Sequence, residues 1–341
     1  MEPFVGRGSV RGLTDPTLRA DEHTARCGLA ALLGVAQLCT ADGGAIDPVE
    51  RRTIEAIRDH LAHQPSLDLD TLTPLSPEEL AEQVTEPIWR ERILRGMTVV
   101  ALMEGELGEE RLNYLRRAAK ALAVGGEVVN TYANLAHERM ALVRLDMARR
   151  GFVGGAVRDY VKRGRLDAAM QLARYALKQE DPTLAARYRA LGQLPEGTLG
   201  QAYIQFIDAN GFSVPGEPGG PPPPIARHDC IHVLGGYGTS AAEEGGVAGF
   251  QAGMSRDTDP FFSILLVLAE FQLGRSVVPI ETGVHQQELD PAVLFEGVER
   301  GLQVNRNLIG DWDPFEDAAV PLVELRSRYG IPERSTVEGA H

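Results

Sequence analysis

Arg227-His228-Asp229-Cys230-Ile231-His232-Val233-Leu234-Gly235-Gly236-Tyr237-Gly238, with Glu243 and Glu244 following, is the stretch from which this chain is read. As a helix over 227–234 it sets His228 and His232 four residues apart, one turn up the same face, so two imidazole nitrogens converge on one point. The glycines at 235, 236 and 238 end that helix, because Gly accepts the left-handed backbone that helix ends often need. A second helix then returns Glu244 towards the histidines, and Asp229 stands beside His228. His228, Asp229, His232 and Glu244 are thus a candidate ligand set of two nitrogens and two oxygens for a divalent metal. Zinc is the first expectation, and Fe(II), Mn or Ni could use the same donors. The competing reading is structural: a core histidine on an apolar helix and an Asp that caps backbone.

The spacing is close to that of the zinc-protease helix but departs where it matters. In that helix a Glu follows the first His as general base. Here the position holds Asp229, one methylene shorter, which reads as a ligand rather than a base.

His-Asp-x-x-His, eleven residues, then Glu resembles the coenzyme Q protein four family of ubiquinone biosynthesis, and His228, Asp229, His232 and Glu244 fit it without a gap. Two flanking blocks extend the likeness. Leu194-Pro195-Glu196-Gly197-Thr198-Leu199-Gly200-Gln201-Ala202-Tyr203 lies before the motif; Arg300-Gly301, Asp311-Trp312 and Pro321-Leu322-Val323-Glu324-Leu325-Arg326 lie after it, ending near Gly330-Ile331. The resemblance covers roughly residues 165–333. One departure is Gly211–Pro224, rich in Gly and Pro, where the family would have a longer, partly helical approach bearing substrate-side residues. The four prolines at 221–224 favour a stiff, extended connector.

The N-terminal half carries a different pattern. Asp15 to Leu38 reads as a helix, with Asp15 as cap and Pro16 in its first turn. Ala41-Asp42-Gly43-Gly44-Ala45-Ile46-Asp47-Pro48-Val49-Glu50 follows, with Asp47, Pro48 and Glu50 arranged as a capping box that opens a new helix. Met103-Glu104-Gly105-Glu106-Leu107-Gly108-Glu109-Glu110 echoes it between two amphipathic stretches, Ile93–Met103 and Leu112–Leu122. This duplicated, all-helical pattern over residues 20–147 resembles the TerB (tellurite-resistance B) family, whose acidic loops are associated with metal. The resemblance makes Asp42, Asp47, Glu50, Glu104 and Glu106 candidates, although helix capping accounts for Asp47 and Glu50 unaided.

Further along, Glu127–Arg150 reads as one long helix, and Gly151, Gly154 and Gly155 mark a domain boundary. Leu166–Leu177 resumes helical spacing; Asp181-Pro182 opens another helix and Thr198 caps the next. Gly245–Met254 and Pro260–Leu273 read as helices, and Asp290-Pro291 and Asp313-Pro314 open the last two, with Glu316 as a capping-box acid. Period-two alternation is scarce. The expectation is an all-α chain with a TerB-like helical bundle over 15–150 and a coenzyme Q protein four-like domain carrying the metal motif over 151–335.

Composition bounds the function. The chain has 341 residues, 43% hydrophobic and 24% charged, ordinary for a globular protein large enough for two cores. Lys plus Arg number 34 against 48 Asp plus Glu, a formal charge of −14, which argues against nucleic acid and anionic lipid surfaces as electrostatic partners. Membrane contact is expected to be peripheral and hydrophobic at most. Cys27, Cys39 and Cys230 form no paired spacing, so free thiols in a reducing cytoplasm are expected; Met1–Gly12 has no signal-peptide apolar run, and Phe261–Ala269 is too short to span a bilayer.

The resemblance implies metal-dependent oxidative decarboxylation of a polyprenylated hydroxybenzoate-type intermediate. The alternative is a lipid-binding scaffold, with no catalysis, that organises quinone or prenylated-aromatic biosynthesis enzymes; a further one is a stress-response adaptor led by the TerB-like half. The implied partners are a prenylated aromatic or isoprenoid lipid and other quinone-biosynthesis enzymes.

Overall fold

Several helix starts in this chain are written in capping residues. In the computed structural model, which describes residues 19–39, 45–105, 107–150, 180–256, 259–276, 286–310 and 312–335, Asp21 accepts from the Thr24 amide at 2.6 Å and starts α1 (Glu22–Ala36). Asp47 accepts from Val49 at 2.8 Å and opens α2 (Pro48–His60) on a proline. Ser76 and Glu79 make a reciprocal capping box for α3 (Pro77–Gln83). Next come α4 (Pro87–Met103), α5 (Glu109–Ala121), α6 (Glu127–Ala136) and α7 (Met140–Arg150). The later helices are α8 (Pro182–Arg189), α9 (Leu199–Ala209), α10 (Pro223–Gly235), α11 (Ala241–Met254), α12 (Phe261–Val267), α13 (Pro291–Gln303) and α14 (Leu322–Tyr329). Helix α12 runs on into a π turn at Leu268–Gln272. The fold is all-α: among the described residues there are fourteen α-helices and no strand, only isolated bridges at Thr198–Pro321 and Leu273–Gln286.

Several boundaries differ from the sequence reading. Asp15 and Pro16 lie outside the described residues, as do Leu166–Leu177 and Gly151–Gly155; α1 takes Asp21 as its cap. The single helix expected over Glu127–Arg150 is broken at His137–Arg139, where Glu138 has φ 55°. At the break the Arg275 guanidinium donates to the Leu135 carbonyl, which also takes the Glu138 amide at 3.0 Å.

Asp313-Pro314 opens no helix. Asp313 accepts from the Phe315 amide at 3.0 Å in a local turn, and the carbonyls of Ala318 and Val320 receive the Gly200 and Leu199 amides at 2.9 and 3.0 Å. The carbonyls of Asp313, Pro314, Phe315 and Asp317 each take the amide three residues on, so the segment closes as successive turns rather than an α-helix. Thr198 does not cap α9 through its side chain, because its hydroxyl donates to Pro195 O at 2.7 Å. The proline run is extended only to Pro222; Pro223 already stands in the first turn of α10.

The duplicated acidic loops meet through one arginine. Arg111, 1% exposed, holds Glu50 at 2.8 Å and Glu104 at 2.5 Å. Glu50 is therefore no capping-box acid. Burial pushes its carboxyl up to about 8, against the pull of Arg111, whose single charge is shared with Glu104. Asp42 and Glu106 lie outside the described residues.

Two apolar clusters fill the interior. One gathers α1, α2 and α4–α6 with Phe261, Phe262 and Leu265 of α12, Ala248 and Ala252 of α11, and Leu294 and Phe295 of α13. The other lies around Tyr203, Leu234, Phe250, Trp312 and Leu325. Helix α11 contributes to both, Ala248 and Ala252 to the first and Val247, Phe250 and Met254 to the second, and it touches α13 backbone to backbone. A Cβ at Gly249 would stand 2.0 Å from Leu294 O, one at Gly297 2.2 Å from Gly246 O, and one at Gly301 2.1 Å from Phe250 O. Only glycine fits at such a contact.

Replacing Gly249 by Ala should therefore lower unfolding stability by about 2 kcal/mol or more, whereas Gly125→Ala, where the nearest foreign atom is 3.9 Å away, should stay within about 0.5 kcal/mol. Urea titration of both variants beside the parent checks this, and equal stabilities would remove the close contact from the account.

Candidate metal centre

Helix α10 ends where its sequence says it should. Gly236 adopts the left-handed conformation, φ 76°, and its amide returns to His232 O at 2.8 Å. The remaining end carbonyls are taken by arginines from far along the chain. Arg326 donates to Leu234 O at 2.9 Å and Val233 O at 3.1 Å, the buried Arg300 to Gly235 O at 2.9 Å, and Arg334 to Gly236 O at 2.9 Å. Three cations at the negative end of one helix fix its direction and position. Arg300 also binds Tyr237 OH at 2.6 Å and Pro332 O at 2.7 Å.

The start of α11 separates the roles of two adjacent glutamates. Glu243 accepts from the Gly238 amide at 2.9 Å and from both guanidinium nitrogens of Arg334 at 2.7 and 2.9 Å, so its carboxylate is spent on the turn. Glu244, next along the helix, faces α10. Its carboxylate oxygens lie 3.6 Å from His228 Nε2 and 3.6 Å from His232 Nε2, and the two Nε2 atoms are 3.0 Å apart.

These separations fit a single ion. Bonds of about 2.1 Å give neighbouring ligand atoms a spacing of about 3.0 Å in an octahedron and about 3.4 Å in a tetrahedron. The outward nitrogen of each ring is also held. His232 Nδ1 lies 2.8 Å from Gly238 O, so it carries the proton and leaves Nε2 with its lone pair. His228 Nδ1 lies 2.8 Å from the amide of buried Gln251, a group that can present either its NH2 or its C=O. The three candidate ligands stand on helices, and His228 and Glu244 are each 23% exposed at the side chain while His232 is buried.

Electrostatics agree with the geometry. Burial opposes charge on Glu244, yet the two imidazoles that face it bring its carboxyl down to about 2. Burial likewise opposes protonation of His228, and the Glu244 carboxylate outweighs it and raises its pKa. Asp229 behaves differently: desolvation pushes it up to about 6, against the pull of both histidines. Its oxygens do not join the group of His228, His232 and Glu244 atoms that lie within 4.8 Å of one another. One step along a helix turns a side chain by about 100°, so the neighbour of His228 points off its face. The i,i+4 spacing thus brings two expected ligands together and the return of α11 adds the third.

Cys230 is buried in the second apolar cluster, and burial raises its thiol well above the usual range, as suits a core filler. Sequence reasoning missed Gln251, Arg334 and the aromatic wall: Phe206 lies 5.5 Å from the His232 ring and 6.3 Å from Phe212, which is 45% exposed. In the N-terminal half the acids brought together are Glu50 and Glu104, on Arg111 rather than on one another.

Fold and site together define an all-helical protein with a candidate centre of two histidines and one carboxylate, able to hold a metal. No family model, no curated protein and no solved structure matches this chain. Among the described residues no helix is long and apolar enough to cross a membrane.

His232→Ala should abolish stoichiometric metal in protein purified without chelators, while Asp229→Asn should keep about one ion per chain, since its carboxylate lies outside the trio. Elemental analysis of both variants decides; metal loss in Asp229→Asn alone would reverse the assignment.

Proposed function

We propose that the chain is a metal-dependent enzyme of the coenzyme Q protein four type, acting on the carboxyl group of a prenylated hydroxybenzoate. The observation that carries this reading is the trio His228, His232 and Glu244, beside an aromatic wall. A catalytic centre keeps a coordination position for substrate beside three protein ligands, whereas structural zinc sites are closed by four. Bound there, a divalent ion supplies Lewis acidity for the substrate carboxylate or phenolate, and iron would add redox chemistry that zinc lacks.

The chain's own residues supply the rest. Phe206 and the half-exposed Phe212 offer faces for an apolar aromatic ring next to His232. Gly238 O and Gln251 hold the two imidazoles in the orientation that aims both Nε2 atoms at one point. The overall reaction balances as aryl carboxylic acid plus dioxygen, two electrons and two protons giving phenol, carbon dioxide and water, so a two-electron donor is a required co-substrate.

The scaffold reading draws support from the same trio, because a metal there would bridge α10 to α11 and stabilise the fold whether or not it turned over substrate. The two readings separate in one assay. Iron-loaded protein, given dioxygen, a reductant and a prenylated 4-hydroxybenzoate labelled at the carboxyl carbon, should release labelled carbon dioxide. His228→Ala/His232→Ala should reduce the rate by at least about a hundredfold. Absence of release from fully loaded protein, with metal loss lowering only the melting temperature, would sink the enzyme and leave the scaffold.

A further inference from the structure

A cavity of about 220 Å³ lies between α1, α2 and α4 on one side and α11, α12 and α13 on the other, walled by side chains such as Leu32, Ile93, Phe261 and Phe295. It is separate from the metal centre: on α11, Gln251 faces His228 while its neighbour Ala252 lines the cavity. Most of its wall comes from the N-terminal half, outside the stretch that carries the metal motif. The cavity reaches the surface where Leu61, 37% exposed, and exposed Arg19 border it.

Among the described residues its charged wall groups are all of one sign. Arg19, Arg92 and Arg95 line it, and no described Asp or Glu does, in a chain of formal charge −14. Arg95 is held from behind by Glu91 at 2.9 Å and Asp259 at 2.8 Å, and Arg92 lies over the Trp89 ring at 4.8 Å. Arg19 makes no ion pair among the described residues and stands at the mouth. An apolar chamber with cationic groups at its opening matches an amphiphile with an acidic head and one hydrocarbon tail. Its size limits the tail: a cavity of about 150 Å³ accommodates benzene, so this one takes about eight to ten carbons.

We propose that this cavity is a binding site for a single-chain carboxylate of medium length, its tail inside and its head on Arg19 and Arg92. The site rests on no part of the metal reading and can be tested apart from it.

Isothermal calorimetry of the full chain with sodium hexanoate, octanoate, decanoate and tetradecanoate, below their micelle concentrations, reads the site directly. Affinity should rise about fourfold per added methylene up to about ten carbons and then level off as the cavity fills. Decanol should bind more weakly than decanoate, and Arg19→Gln should weaken decanoate about fivefold, as expected for one partly exposed ionic contact. Ala25→Leu, which fills part of the wall and whose folding is checked by its thermal transition, should abolish decanoate binding. Any of three results overturns the proposal: no saturable decanoate binding to the parent protein, unchanged binding to folded Ala25→Leu, or decanol binding as tightly as decanoate.

Discussion

Gly249 and Gly297 let the backbones of α11 and α13 touch, and the rest of the C-terminal architecture depends on that contact. Glycine is unfavourable inside a helix, where it costs about 1 kcal/mol relative to Ala, so its recurrence at Gly245, Gly246, Gly249 and Gly253 opposite Gly297 and Gly301 needs a packing reason. The reason is position. With α11 pressed on α13, Arg300 of α13 reaches the end of α10, and Glu244 and Gln251 of α11 reach the two histidines. Helix α11 thus holds the site through Glu244 and Gln251 and joins the N-terminal core through Ala248 and Ala252.

The blocks that flank the metal motif acquire physical roles in this arrangement. Arg300 and Arg326 occupy the last carbonyls of α10, Gly301 admits the backbone of α11, and Gly200 sits against Ala318 O at the start of α9. Trp312, fully buried, donates to Asp317 at 2.7 Å, and Asp317 also takes Tyr329 OH. These residues act through α10 and its supports, and none of them belongs to the ligand trio. In the other half, Arg111 does the equivalent work by joining the two echoing loops through Glu50 and Glu104.

Much of the site was legible because its information is local. Two histidines at i and i+4 share a helix face in any context, Gly235-Gly236 stops a helix, and Asp181-Pro182 and Asp290-Pro291 open helices in the structure as the capping rules require. What failed depended on distant partners. Asp313-Pro314 has the same local form as Asp290-Pro291, yet the residues after it close in successive turns, with Ala318 O and Val320 O paired to α9. Glu50 looked like a cap until Arg111 was placed beside it. Asp229, expected in the ligand set by adjacency, stands one step along the helix from His228, and its oxygens are not in the group that His228, His232 and Glu244 form. Gln251 carried no signal in the sequence, because its meaning lies entirely in its 2.8 Å approach to His228.

The central claim is that packing of α11 on α13 delivers Glu244 to the histidines of α10 and so builds one metal centre. Anomalous diffraction from crystals of the metal-loaded chain tests it most directly. The account predicts a single strong peak within about 2.0–2.2 Å of His228 Nε2, His232 Nε2 and a Glu244 carboxylate oxygen, with Asp229 outside bonding distance. A peak elsewhere in the molecule, or one bonded to Asp229 in place of Glu244, would contradict it.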